Sequence, residues 1–195
     1  IFDNVRPFDL NVRIFAFVIR FGLNSQPQFR DSRISSPWPT RRERRNAMKL
    51  WSRFIQEEAF APELPHLMAG ETIQKGPLKQ LQPFWCNSDL LVKVGGRLQL
   101  SGLLEETIHP VILPAKNRFV EHMVMQLHLS MNHLGSEGVL AHLRMRFWLL
   151  QGRRECKRIL RRCVKCYRLR APAFSQQIAP LPKARLLGNT SFLNV

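Results

Sequence analysis

Four residues restrict what this chain can fold into more than any others: His128 and His133, and Cys163 and Cys166, two close pairs separated by enough sequence for two helices. Zinc accepts imidazole nitrogen and thiolate sulfur in a closed tetrahedron, and a Cys-x-x-Cys turn brings two thiolates to one ion without strain. Each pair alone is ambiguous. A Cys-x-x-Cys also serves redox chemistry, and two histidines at this spacing can be unrelated surface residues. Together the pairs predict one structural Zn2+, because all four positions are protein ligands and none is left for an activated water. The competing reading is a set of core histidines and free thiols.

The sequence between the ligands is punctuated as helices. Phe119, Met123 and Leu127 form an apolar stripe leading into His128. Gly135-Ser136 marks a break and a helix start, after which Val139, Leu140, Leu143 and Phe147 recur at helical intervals. Beyond Gly152, the residues Cys156, Ile159, Leu160 and Cys163 fall at i, i+3, i+4 and i+7, which predicts Cys163 at the end of a helix on its buried face. A unit of three short helices buries too little surface to hold itself together. A structural zinc contributes about 10–16 kcal/mol of apparent binding free energy, which is also folding free energy.

With these residues in view, the stretch from His128 to Cys166, with Phe147-Trp148 in its spacer, resembles the amino-terminal zinc-binding (HHCC) domain of retroviral and retrotransposon integrases. The closer similarity is to BEL/Pao long-terminal-repeat retrotransposon polyproteins. That resemblance extends upstream to a PF…LLRVGGRL…HPVILP block, matched by Pro83, Phe84, Gly95, Gly96, Arg97, Leu98, His109, Pro110 and Pro114, with Lys93 in place of the usual Arg. It extends downstream to Leu181-Pro182 and Arg185, which in the family lead into the catalytic core. The resemblance places the zinc ligands on His128, His133, Cys163 and Cys166. It also implies DNA ends, other integrase protomers and the catalytic core as partners, and an intracellular setting in a cytoplasmic particle and the nucleus.

Charge is the second constraint. The 195 residues carry a formal net charge of +16, which favours a polyanionic partner, nucleic acid before an acidic membrane surface. From Arg144 to Arg170 eleven Arg or Lys residues face the single acid Glu155. The expected phosphate contacts are Arg144, Arg146, Arg153, Arg154, Lys157, Arg158, Arg161, Arg162 and Lys165. The apolar run from Val12 to Leu23 is too short to span a bilayer and is followed by no signal-peptide cleavage site. Cys86 and Cys156 are isolated, a pattern that suits a reducing compartment. The first residue is Ile rather than Met, so the chain reads as a piece of a longer open frame.

In order, the expected organisation is an amphipathic segment over 1–24, a Ser/Gln/Pro-rich linker over 25–39, an α+β extension over 40–115, the zinc-binding domain over 116–170 and a linker over 171–195. The fold class is mainly α with a small β element: a three-helix, helix-turn-helix-like zinc module behind a small α+β extension. Ile14, Phe15, Val18 and Ile19 give the first segment a helical stripe. Thr40 and Glu43 spell a capping box, and Ala47, Leu50, Trp51, Phe54 and Ile55 mark the apolar face of the helix it starts. The Arg41-Arg42 and Arg44-Arg45 pairs read as a solvated helix face, a phosphate contact or a nuclear-import signal. Leu90 to Val94 and Thr107 to Leu113 read as strands around the Gly95-Gly96 break. His109, beside Pro110, reads as a hydrogen-bonding residue before a ligand.

Strand transfer by an integrase requires three acids holding two metal ions, and after residue 121 only Glu137 and Glu155 occur. The expectation is a non-catalytic part of an integrase that binds nucleic acid through phosphates. The alternatives are a multimerisation module using helices that carry Met123, Met125, Phe147 and Trp148, and a Cys-x-x-Cys oxidoreductase.

Overall fold

The computed structural model describes residues 8–28, 33–96, 105–172, 174, 178–181 and 183. Arg97 and Leu98 of the upstream block, and Pro182 and Arg185 downstream, lie outside the described residues. Among the described residues the chain is mostly helical with one small sheet, as the sequence predicts. Helices α1 (Phe8–Ser25), α2 (Arg41–Ala59) and the short α3 (Leu64–Met68) precede strands β1 (Phe84–Cys86) and β2 (Leu91–Lys93). A turn of helix α4 (Glu105–Ile108) leads into β3 (Val111–Leu113), then come α5 (Arg118–Ser130), α6 (Ser136–Arg144), β4 (Phe147–Leu149), α7 (Gly152–Leu160) and α8 (Val164–Arg170).

The capping box forms as its spelling implies. The Thr40 hydroxyl accepts the Glu43 N–H at 3.2 Å, while the Glu43 carboxylate accepts the Thr40 N–H at 2.7 Å. The same carboxylate takes two bonds from the buried Arg20 guanidinium of α1, both 2.6 Å. Arg20 also donates to the carbonyls of Ser36 at 2.5 Å and Trp38 at 3.0 Å, so one arginine fastens α1, the start of α2 and the chain between them. The buried face of α1 is Val12, Ala16 and Arg20, with Phe8, Phe15 and Ile19 partly covered. The expected stripe is therefore rotated, and Ile14 and Val18 point outward.

The face of α2 differs from expectation in the same way. Ala47 and Ile55 are buried, but Phe54 is exposed, and Ser52 and Gln56 take its place inside. The physical reason lies in the sheet. Gln56 Nε2 donates to the carbonyls of Val92 at 2.8 Å and Ile112 at 2.7 Å, and its Oε1 accepts the Val92 N–H at 2.8 Å. A side-chain amide thus stands between β2 and β3, whose ladder is a single pair, Lys93 with Val111.

The sheet runs β1-β2-β3-β4, antiparallel except for the parallel pair β3 and β4. Phe147–Leu149 pairs with Val111–Leu113 rather than continuing α6, which ends at Arg144. That corrects the helical placement of Phe147. Thr107 is likewise helical, and only Val111–Leu113 of its expected strand is extended. Gly95 is required by close approach: a Cβ there would stand 2.2 Å from the Gln82 carbonyl oxygen. His109 hydrogen-bonds the Val94 carbonyl at 2.9 Å, the non-ligand role expected of it. The main core joins Ile55 of α2, Leu113 of β3, Val120 and Val124 of α5, Leu140 of α6 and Ile159 of α7.

Candidate metal centre

Helix α5 starts with Asn117 capping the Phe119 and Val120 amides and packs Phe119, Val120, Met123 and Val124 inward, which brings His128 round to the buried side on its last turn. The chain then reverses sharply. Asn132 and His133 are consecutive residues in the left-handed region, at φ 51° and 63°, a conformation that costs a non-glycine residue on the order of 1–3 kcal/mol. The reversal swings the His133 imidazole back over His128. Backbone strain of this kind persists where something over-determines it, and shared ligation of one ion is such a constraint.

On the other side, α7 buries Cys156, Ile159 and Leu160 and then stops. Cys163 lies three residues past its end, as the N-cap of α8, and Cys166 is in the first turn of α8. The sequence reading of Cys163 as the last residue of the preceding helix is corrected by this break. The Cys-x-x-Cys therefore straddles a helix start, which turns both sulfurs the same way.

The four side chains converge. His128 Nε2 and His133 Nδ1 are 3.1 Å apart, Cys163 Sγ is 3.3 Å from His133 Nδ1, and Cys166 Sγ is 3.4 Å from His128 Nε2 and 3.6 Å from His133 Nδ1. All four donor atoms lie within 4.8 Å of one another. Zinc bonds of about 2.0–2.1 Å to nitrogen and about 2.3 Å to sulfur make a tetrahedron with nitrogen–nitrogen edges of about 3.3 Å and nitrogen–sulfur edges of about 3.6 Å. The four quoted edges lie within about 0.3 Å of those lengths, and the donor set is of the right kind for one zinc ion. The residues are positioned to bind one metal ion.

Neighbouring groups prepare the donors. The Leu134 carbonyl lies 2.8 Å from His128 Nδ1, so that nitrogen carries the proton and Nε2 presents its lone pair to the centre. Burial holds the His128 pKa below its ordinary value, which favours the neutral imidazole a metal needs. Burial, followed by the neighbouring Cys163, raises the Cys166 pKa, so a cation is what would make that thiolate favourable. Glu155, almost fully buried, accepts the Lys116 N–H at 3.0 Å and bonds to Arg158, tying the entry of α5 to α7. Glu121 of α5 receives Arg158 at 2.5 Å and Arg162 at 2.9 Å. Sequence reading missed these ties, although Glu155 as the lone acid in a basic run was the available signal.

The cations expected to meet phosphate divide into groups. Arg144, Arg153, Arg154, Lys157 and Arg161 line one open depression together with Trp148, and the Arg144 guanidinium lies 5.2 Å over the Trp148 ring. Arg158 is at the same depression but is committed to Glu121 and Glu155. Arg146 faces elsewhere, paired with Glu106, and Lys165 is exposed on α8. Met123 and Met125, offered as an assembly face, are buried in the chain's own core.

Residues 115–172 match a family described as the integrase zinc binding domain. That span begins two residues after β3, contains all four ligands and ends just after α8. No curated protein and no solved structure matches the chain significantly. Among the described residues, no helix is long and apolar enough to cross a membrane.

Proposed function

We propose that this chain is a non-catalytic, amino-terminal part of a retrotransposon integrase of BEL/Pao type, in which a zinc clamp fixes a cationic face for DNA. The observation that carries this reading is the gathering of Arg144, Arg153, Arg154, Lys157 and Arg161 around Trp148, on α6 and α7, which follow the histidine pair and precede the cysteine pair of the ligand set. The zinc ion, when bound, supplies charge neutralisation for two thiolates and fixes four side chains at once. The chain's own residues do the rest. Glu155 and Glu121 orient α7 against α5, and α7 carries Arg153, Arg154 and Lys157 on its outer face. The expected partners are element-end or target DNA, other integrase protomers and the integrase catalytic core, in a cytoplasmic particle and the nucleus.

Such a face positions DNA by its phosphates and does not read bases. Anisotropy of labelled duplex against salt, with zinc-loaded protein, tests it. The slope of log affinity against log salt should approach about −0.9 for each phosphate neutralised, and Arg153→Ala with Arg154→Ala should flatten it by up to two contacts. An affinity that ignores both salt and these substitutions would refute the DNA role.

A second reading, assembly through protein contacts, is favoured by α1. Leu10, Ile14, Phe17, Val18 and Phe21 form an exposed apolar stripe opposite the face that packs on α2. A helix apolar on both faces is usually covered on both. Sedimentation of the zinc-loaded chain across concentration, with Phe17→Glu as the control, discriminates this reading from the first.

A further inference from the structure

Away from the ligand set, α1, α2, the sheet, α5 and α6 enclose a cleft of about 430 Å³, within the usual range for small-molecule sites. Its wall is apolar, with Val12, Met48, Leu91, Met123, Leu127 and Leu143. Two features of this cleft have no structural explanation. Ser52 lines it fully buried, and its hydroxyl oxygen has no hydrogen-bond partner, a state that costs about 1–3 kcal/mol. The lining also carries an excess of cations. Asp89 is shared by Lys49 and Lys93, both at 2.5 Å, and Glu106 is shared by Arg45 at 3.8 Å and Arg146 at 3.1 Å. Asp9 pairs with Arg44, and Arg41 adds a sixth cation against three carboxylates.

Arg45, Lys49 and Ser52 follow one another at i, i+4 and i+7, so they form a line along one face of α2. The line ends at the unpaired hydroxyl beside the apolar wall. We propose that this cleft binds a small amphipathic anion, its apolar body against the wall and its anionic group between the Ser52 hydroxyl and the Lys49–Lys93 pair. An inorganic anion would leave the apolar wall unused, and a neutral apolar ligand would leave the hydroxyl and the cation excess unmet. Neither alone satisfies both features.

The test uses the full, zinc-loaded chain with anilinonaphthalene sulfonate as fluorescent probe, and decanoate, decanol and inorganic sulfate as competitors. Decanoate should displace the probe, decanol should do so at least ~10-fold less well, and sulfate at matched ionic strength should fail. Ser52→Ala should weaken decanoate ~2- to 10-fold, the loss of one hydrogen bond, while raising the thermal midpoint of the unliganded protein, because a buried unpaired hydroxyl has gone. A merely structural serine would not give effects of opposite sign. Lys49→Gln, at a half-exposed position, should weaken decanoate and leave decanol unchanged. Leu127→Trp, filling the wall, should weaken both. Equal displacement by sulfate, or probe binding unaffected by all three substitutions with native circular dichroism, would overturn the proposal.

Discussion

The two ends of this molecule are held by different physics. Around α2 and the sheet, structure is secured by burial and by one amide: Ile55, Val92, Ile112 and Leu113 are at most 5% exposed, and Gln56 satisfies three backbone groups between β2 and β3. At the far end α8 has almost nothing of that kind. Cys166 is its only buried residue, while Val164, Tyr167 and Leu169 face solvent. What would hold α8 in place is ligation of a metal ion by Cys163 and Cys166 rather than a core. The helices α2, α5, α6 and α7 therefore share one core that excludes solvent, and α8 alone is left to the metal ligands.

The largest expected effect follows from that contrast. Chelation, or Cys166→Ser, should forfeit apparent binding free energy on the order of 10 kcal/mol and release α8. Hydrogen exchange should then show Val164–Arg170 losing protection while α2 amides near Ile55 keep theirs. Uniform loss across both regions would erase the distinction between the two ends.

Gln56→Leu should cost about 3–4 kcal/mol, because the Val92 N–H and two carbonyls lose their partner inside the protein. Zinc affinity, measured by competition with a chromophoric chelator, should be unchanged. A coupled loss would mean that the two ends act as one unit.

The Arg20–Glu43 pair gives a smaller, pH-dependent effect. Hydrogen bonding to Arg20, against the opposing cost of burial, holds the Glu43 pKa at about 2. A depressed carboxylate stabilises the fold above its unfolded pKa, and that stability is lost as pH falls from about 4.5 towards about 2, on the order of 2 kcal/mol in all. Acid titration of stability should lose this component in Glu43→Gln.

The smallest effect concerns thiol chemistry. Burial pushes the Cys156 pKa up to about 11, so a thiol reagent at neutral pH should spare it whether or not zinc is present. Chelation should expose two additional reactive thiols, Cys163 and Cys166. A Cys-x-x-Cys oxidoreductase would instead yield a reversible disulfide with no response to zinc.

Much of the metal end was legible because its information is local. Ligand type, the Cys-x-x-Cys spacing and the apolar periods of α5 and α7 all lie within a few residues of the groups they position. The capping box at Thr40 was legible for the same reason. What could not be read depends on partners distant in sequence. Phe147 continues the α6 stripe in the sequence, yet Phe147–Leu149 forms a strand because Val111–Leu113 offers an edge thirty-six residues earlier. Gln56 and Ser52 look like solvent-facing residues until β2 and β3 are placed beside them. Arg20 looks like one more surface cation until Glu43 and the Ser36 and Trp38 carbonyls surround it. Polar residues on an apparently apolar face are where periodicity fails, because their partners are backbone groups of other elements.

Zinc content per chain, measured by atomic emission on protein purified without added metal, tests the central claim most directly. The account predicts one equivalent in the native sequence and a loss of most of it in Cys163→Ser, with the α2 and sheet region still folded. Full retention of zinc by Cys163→Ser, or a native chain that neither carries nor takes up zinc, would contradict it.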